Sequence, residues 1–198
     1  MPRRGVTFLP DACYHLYNRG NNRKRIFYER ENYLFFLRQM RSYLLPATEI
    51  IAYCLMPNHY HLLAKVKDKA RQAKIQQIPD VSRAMMRLAV SYTKAMNKKY
   101  NRKGVLFQGS FQAKQVLDDD HLIQLSAYIH LNPVWAGLVA GPDQWEFSSY
   151  REYVGQRRDS LPSPEAVLVQ FTCPQAYREF VSGYANGGEG QLGELALE

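Results

Sequence analysis

The sequence predicts an α+β fold in which helices pack on an antiparallel sheet, followed by a small helical C-terminal extension. Two observations lead to this prediction. Apolar residues make up 46% and aromatic residues 13% of the 198 residues, which is enough to build the core of one domain. Strand-like and helix-like patterns follow one another in the order β-α-β-β-α-β-α. Such a mixture of a strand hairpin with helices is typical of α+β layer folds.

The first half of the chain contains three predicted strands and one predicted helix. An alternating, aromatic-rich segment predicts the first strand, and apolar residues at helical spacing before Pro46 predict the helix. A short apolar run and its return segment predict a hairpin that turns at Pro57 and Asn58. The predicted bounds are 13–18 for the first strand, 29–45 for the helix, and 49–56 and 59–66 for the hairpin strands.

The second half of the chain alternates loops with helices. Asp80 or Ser82 is the predicted cap of a helix that runs to about Tyr100. Three aspartates favour the N-terminus of a further helix, which we expect to stop at Asn132 because Pro133 follows. The other predicted segments are a loop over 67–79, a loop leading into a strand over 104–117, that further helix over 118–132, and short helical pieces over 145–156 and 174–184.

The predicted organisation is one main domain over 1–140, a helical extension over 141–184 and a disordered tail over 185–198. We find no internal repeats.

The charge balance points to an anionic partner. The formal net charge is +8 and the isoelectric point is about 9.4, which favours nucleic acid first, although a basic protein without such a partner has the same composition. Cys13, Cys54 and Cys173 form no C-x-x-C pair, so we expect reduced, mostly structural thiols. The N-terminus lacks the apolar core of a signal peptide, and no stretch is apolar enough to span a membrane. The sequence therefore predicts a cytoplasmic protein.

The segment "MPNHYHLLA", residues 56–64, carries two histidines on one predicted strand. Side chains alternate across a strand, so His59 and His61 share one face, while Tyr60 and Leu62 lie on the apolar face that packs on the core. Two imidazoles that project together are a sensible pair of metal ligands. By itself the pattern is more often produced by hydrogen-bonded residues at the surface or at the boundary of the core.

The helix over 118–132 offers further candidates. At about 100° per residue, Tyr128 and Asn132 lie one turn apart on a polar stripe that also contains His121 and Gln124. The tyrosine is a candidate nucleophile, and the asparagine could offer its carbonyl oxygen to a metal. A boundary aromatic and a helix-terminal asparagine would produce the same pattern.

Two basic segments are candidate nucleic-acid contacts. The first, the basic loop over residues 19–27, combines cations, amides and an aromatic residue, as single-stranded or hairpin DNA requires. The second is a stripe on the helix after Asp80, which is also compatible with a solvated face. The candidates are Arg19, Asn21, Asn22, Arg23, Lys24 and Arg25 in the basic loop, and Arg83, Arg87, Lys94 and Lys98 on the helix.

Together these motifs resemble the single-tyrosine HUH transposases of the IS200-like superfamily, and most of all their REP-associated tyrosine transposase branch. The resemblance extends over about residues 10–184. It is carried by "YHLYNRGNNRKRIF", "MPNHYHLL", "SYTKAMNKKYNRKGVLFQGSF", "YIHLNPVWAGLV" and "WEFSSYREYVG", in this order along the chain.

The resemblance implies a ferredoxin- or RRM-like sheet, with residues 1–140 as the transposase domain. It further implies that His59, His61 and Asn132 bind Mg²⁺ or Mn²⁺ and that Tyr128 is the nucleophile. The implied enzyme nicks and rejoins single-stranded or hairpin DNA through a 5′-phosphotyrosine, as a nucleoid-associated monomer or homodimer. Trp135 departs from the basic or polar residue that relatives carry there.

Two other functions fit some of these features. An HUH nuclease of the replication-initiator or relaxase kind has a similar pair of histidines but generally a different order of motifs. A catalytically silent DNA- or RNA-binding regulator on the same fold would explain the charge and the aromatic residues, but not the tyrosine and asparagine of the helix.

Overall fold

The computed structural model describes residues 6–68 and 80–185. A four-stranded antiparallel sheet with the strand order β2-β3-β1-β4 forms its centre. The strands are β1 (Cys13–Arg19), β2 (Thr48–Met56), β3 (His59–Val66) and β4 (Gln112–Val116). The helices are α1 (Arg30–Tyr43), α2 (Val81–Lys99), α3 (Asp119–Trp135), α4 (Tyr150–Tyr153), α5 (Glu165–Leu168) and α6 (Pro174–Ala185). The predicted α+β class and the predicted order of elements are confirmed.

The register of the sheet places the histidine motif at its centre. Met56 and His59 pair at the end of the β2–β3 hairpin. On the other side of β3, Arg19 lies opposite His59 and Tyr17 lies opposite His61. Because cross-strand partners share a face, Arg19 and Tyr17 stand on the same side of the sheet as the two histidines.

Both faces of the sheet are covered. Tyr60 and Leu62 belong to a core that includes Phe36 of α1 and Leu88 of α2, as their apolar pattern predicts. The opposite face, which carries the histidines, is also packed, because Leu63 lies in a second core built with α3 and α6. The histidine pair therefore lies between the sheet and a helix.

The predicted end of the third long helix at Asn132 is wrong. Helix α3 continues through Pro133 to Trp135, since proline has a helical φ and costs one backbone hydrogen bond near a helix end. The stop comes from Gly137, which adopts a positive φ of 66°. The Gly137 N–H donates to the Val134 carbonyl, and the Leu138 N–H donates to the Pro133 carbonyl, as in a Schellman motif.

Other predicted boundaries differ by a few residues. Helix α1 spans Arg30–Tyr43 rather than 29–45. Of the two predicted caps of α2, Asp80 is the cap and Ser82 lies inside the helix. The short helix α5 was not expected, because four residues carry too little periodicity. Only residues 67 and 68 of the predicted 67–79 loop, and only Ala185 of the predicted 185–198 tail, are described; the rest of both predictions lies outside the described residues. In the described part of the chain no helix is long and apolar enough to cross a membrane.

A buried histidine joins α3 to the C-terminal extension. His130 Nδ1 lies 2.7 Å from the Tyr177 hydroxyl, and His130 Nε2 lies 2.9 Å from Ser149 Oγ. Because Ser126 Oγ donates to a backbone carbonyl, the Tyr177 hydroxyl donates to Ser126 and accepts from His130. Burial lowers the pKa of His130 to about 3, so this network holds the neutral ring.

We expect replacement of His130 by alanine to lower the free energy of unfolding by about 2–4 kcal/mol, since it leaves buried hydroxyls unpaired and opens a cavity. The unfolded histidine, with a pKa near 6.5, binds a proton more readily than the folded one. The contribution of His130 to the free energy of unfolding is therefore fully present above about pH 6.5 and falls as the pH drops towards 3. Urea unfolding of both proteins between pH 7.5 and 5 measures this; an unchanged pH slope in His130→Ala would contradict the assignment.

Candidate active site

His59 begins β3 and is oriented by the residue before it. Its ring is half-buried, and its Nδ1 lies 2.7 Å from Asn58 Oδ1. Since an amide oxygen only accepts, the His59 Nδ1 carries the proton and donates it. The Nε2 therefore carries the lone pair of the neutral ring, and this atom lies 3.5 Å from Asn132 Oδ1.

His61 is completely buried and contacts a third histidine. His61 Nδ1 lies 2.9 Å from His15 Nε2, and the two rings stack with centroids 5.1 Å apart. Burial, and then the nearby His59 and His15, hold the pKa of His61 well below its usual value. Burial, followed by the charges of Lys114 and His121, lowers the pKa of His15 to about 3. Both rings are therefore neutral at pH 7.

The sequence reasoning missed His15. The available signal was the alternation of the first strand, in which His15 shares a face with Tyr17. Only the register of β1 against β3, which places His15 opposite Leu63, brings it to His61.

Helix α3 places Tyr128 over this pair. The Tyr128 ring is perpendicular to the His61 ring, with centroids 5.4 Å apart. The Asn132 Nδ2 donates to the Tyr128 carbonyl at 2.8 Å, which leaves Asn132 Oδ1 turned towards His59. The four residues implied by the resemblance, from two elements far apart in sequence, thus lie together on one face of the sheet.

Trp135 closes one side of this arrangement. Its ring centroid lies 5.8 Å from that of Tyr128, a contact that exists because α3 continues past Pro133. Its Nε1 is buried without a hydrogen-bond partner in the described part of the chain. The departure from the family pattern therefore places an apolar wall, rather than a cation, beside the tyrosine.

The donor set of the site suits a divalent cation. The Nδ1 atoms of two imidazoles are in hydrogen bonds, so that Nε2 is the nitrogen that would bind a metal, and an amide oxygen faces one of them. Hydrogen bonds to the second ring nitrogen are the usual support of histidine ligands. Among the described residues, no three His, Cys, Asp or Glu side chains are grouped to hold a metal ion, so a three-ligand site here has to include the amide.

The basic loop lies directly against the site. The Gly20 N–H donates to the Asn58 carbonyl, and the Asn58 Nδ2 donates to the Arg23 carbonyl at 3.2 Å. The Ile26 N–H donates to the Pro57 carbonyl. The turn that positions His59 therefore also holds the basic loop, whose exposed residues are Asn22, Arg23, Lys24 and Arg25, with Asn21 and Arg19 half-buried.

The helical stripe lies elsewhere. Arg83, Arg87, Lys94 and Lys98 are exposed on α2, and α2 packs on the sheet face opposite the histidines. The structure does not bring these four residues to the site. Of the polar stripe on α3, His121 lies near enough to His15 to affect its pKa.

Comparison with known proteins identifies the class. The solved structure of a REP-associated tyrosine transposase bound to a REP hairpin superposes with a TM-score of 0.61 at 16% identity, covering 82% of this chain and 98% of that one. At this identity the likeness establishes the fold alone. The family model described as IS200-like transposase matches residues 9–132, more than half of the chain. The chain belongs to the IS200-like transposase family.

A curated relative supports the REP-associated branch. A Haemophilus influenzae protein named as a REP-associated tyrosine transposase is 29% identical over 109 residues, which make up 54% of this chain and 61% of that protein. The chain thus spans about three fifths of the length of this relative. The resemblance stated from the sequence is confirmed.

Proposed function

We propose that the chain is a metal-dependent transesterase that nicks and rejoins hairpin-flanked single-stranded DNA through a 5′-phosphotyrosine. The observation that carries the proposal is the position of the Tyr128 ring, 5.4 Å from the His61 ring and in the same chain. A phenol nucleophile beside candidate ligands for a phosphate-binding cation is what such a reaction requires.

Tyr128 is the proposed nucleophile. Its phenol oxygen forms a bond to phosphorus while the bond from phosphorus to the 3′ oxygen breaks, and the departing 3′ oxygen takes up a proton. One phosphodiester replaces another, so a DNA 3′-hydroxyl can reverse the step without ATP. A phenol has a pKa of about 10, so its proton has to be removed as it attacks. The Tyr128 ring packs against His61 of its own chain, which supports action in cis.

His59, His61 and Asn132 are the proposed ligands of Mg²⁺ or Mn²⁺. When bound, the ion neutralises the scissile phosphate and orients it for in-line attack. The oxygen ligand favours these ions, as the family resemblance implies, while imidazole also accepts zinc. His15 and Asn58 orient the two imidazoles through their Nδ1 atoms.

The basic loop is the proposed contact for the DNA next to the site. Its position supports this, since it is hydrogen-bonded to the turn before His59. A hairpin as the bound DNA is suggested by the hairpin in the related structure. The basic stripe on α2 could contact DNA phosphates only if the DNA also runs along the face of the sheet opposite the histidines.

A covalent-adduct assay tests the proposed function. Labelled hairpin oligonucleotides with randomised single-stranded flanks are incubated with the protein in Mg²⁺ or Mn²⁺ and resolved on a denaturing gel. We expect a labelled band at the mass of protein plus DNA, absent in EDTA. Binding without any adduct in either metal would favour the catalytically silent regulator instead.

We expect Asn58→Ala to lower Mn²⁺ affinity about 10- to 100-fold, because it removes the acceptor that fixes the His59 tautomer. Cleavage should recover as Mn²⁺ is raised. Asn58→Asp, which keeps an acceptor oxygen, should retain most of the affinity. A loss of activity in Asn58→Ala that no Mn²⁺ concentration restores would show that the residue acts only through the fold.

A further inference from the structure

A cavity opens beside the histidine pair, between strands β1 and β4 and the loop before β4. Its volume is about 310 Å³, and Tyr17, Asn18, Arg19, Gln108 and Gln112 line it. Helix α3 packs mainly on β2 and β3 and reaches β1 through Tyr128, whose ring lies 6.5 Å from that of His15, whereas the cavity residues are on β1, on β4 and in the loop before β4. A volume near 300 Å³ is at the lower end of small-ligand sites.

The cavity adjoins the proposed reaction centre. Tyr17 pairs with His61 across β1 and β3, and Arg19 pairs with His59. The Tyr17 and His61 rings lie 6.1 Å apart at 26°. Since neighbouring strands are about 4.8 Å apart, a group in the cavity lies one strand away from the proposed metal ligands.

The lining has the chemistry of a nucleotide site. The Tyr17 ring is backed by His15, stacked at 4.7 Å, and so offers a rigid platform for a base. The Arg19 Nε donates to Gln108 Oε1 at 2.8 Å, which holds a cation at the rim. Gln112, directly opposite Tyr17 on β4, adds an exposed amide that can pair with a base edge.

We propose that this cavity binds one unpaired nucleotide next to the scissile phosphate, with its base stacked on Tyr17, its edge read by Gln112 and its phosphate bound by Arg19. The inference rests on the proposed function and adds the subsite for the flanking nucleotide. It shares Arg19 with the basic loop, but its other lining residues are on β1, on β4 and in the loop before β4. The base has to be unpaired, because only a free base presents a ring face to the tyrosine.

An abasic scan tests the subsite. The probe is a hairpin oligonucleotide selected from a randomised-flank library by binding to Tyr128→Phe, which keeps the DNA intact. Single abasic positions are placed along its flanks, and binding is measured for Tyr128→Phe alone and combined with Tyr17→Ala, Tyr17→Phe or Gln112→Ala. Stacking on an aromatic ring corresponds to about 5- to 150-fold in affinity.

We expect one flank position at which the abasic change weakens binding by such a factor. Tyr17→Ala should weaken binding of the intact probe by a similar factor, and the abasic change at that one position should then have no further effect. Tyr17→Phe should keep both the affinity for the intact probe and the effect of the abasic change. Gln112→Ala, an exposed change that tests the same position if Tyr17→Ala does not fold, should lose base preference there.

Two results would overturn the inference. An unchanged abasic profile in Tyr17→Ala, or an unchanged preference among the four bases at that position in Gln112→Ala, would contradict the subsite and leave the proposed function standing, provided that the wild type still forms its adduct. If no library member binds better than a random duplex, both the nucleotide subsite and the proposed function are contradicted.

Discussion

Tyr128→Phe is expected to abolish the covalent protein–DNA adduct and all strand cleavage. The substitution keeps the ring that packs against His61 and Trp135 and removes only the oxygen that would bond to phosphorus. Fold and DNA affinity should therefore stay within about twofold of the wild type, since the ring contacts remain. The measurement is the adduct band on a denaturing gel, followed over hours to detect slow residual turnover.

The matched control is Tyr17→Phe. Tyr17 is another tyrosine on this face, with its ring 6.1 Å from that of His61, so it is the natural rival nucleophile. We expect Tyr17→Phe to form the adduct at the wild-type rate. The reverse pattern, with cleavage lost in Tyr17→Phe and kept in Tyr128→Phe, would show that Tyr17 on β1 is the nucleophile.

His61→Ala is expected to have the second-largest effect, a loss of cleavage of at least about 100-fold together with loss of Mn²⁺ binding. Changes to groups that merely support a metal ligand cost 10- to 100-fold, and His61 is proposed as a ligand itself. The substitution also leaves His15 without its partner at 2.9 Å in a buried site, so some loss of stability accompanies it.

A second variant separates stability from metal binding. His130→Ala removes another fully buried histidine, but one whose partners are Tyr177 and Ser149. Below its melting temperature, His130→Ala should bind Mn²⁺ as the wild type does, whereas His61→Ala should not. Equal Mn²⁺ binding by wild type and His61→Ala would remove His61 from the ligand set.

Local sequence patterns predicted correctly those features of the structure that depend on one helix or strand alone. The hairpin strand His59–Val66 has the predicted bounds, and Asp80 caps α2 as expected. The apolar face of β3 packs in the core, because the period of two fixes which residues share a side. The predicted end of α3 was wrong because it was placed before Pro133, whereas the helix ends before Gly137. A glycine after the last helical turn is itself a sequence signal for a helix end.

The sequence by itself determined the family and the fold class and pointed to the four residues that we propose for the site, since the motifs around His59 and Tyr128 are local and their order along the chain is distinctive. Only the tertiary structure decided that His15 contacts His61, that Asn58 holds both His59 and the basic loop, and that the α2 stripe lies across the sheet from the site. These facts depend on strand register and on which helix covers which face. Both are set by packing between segments distant in sequence, which no local pattern encodes.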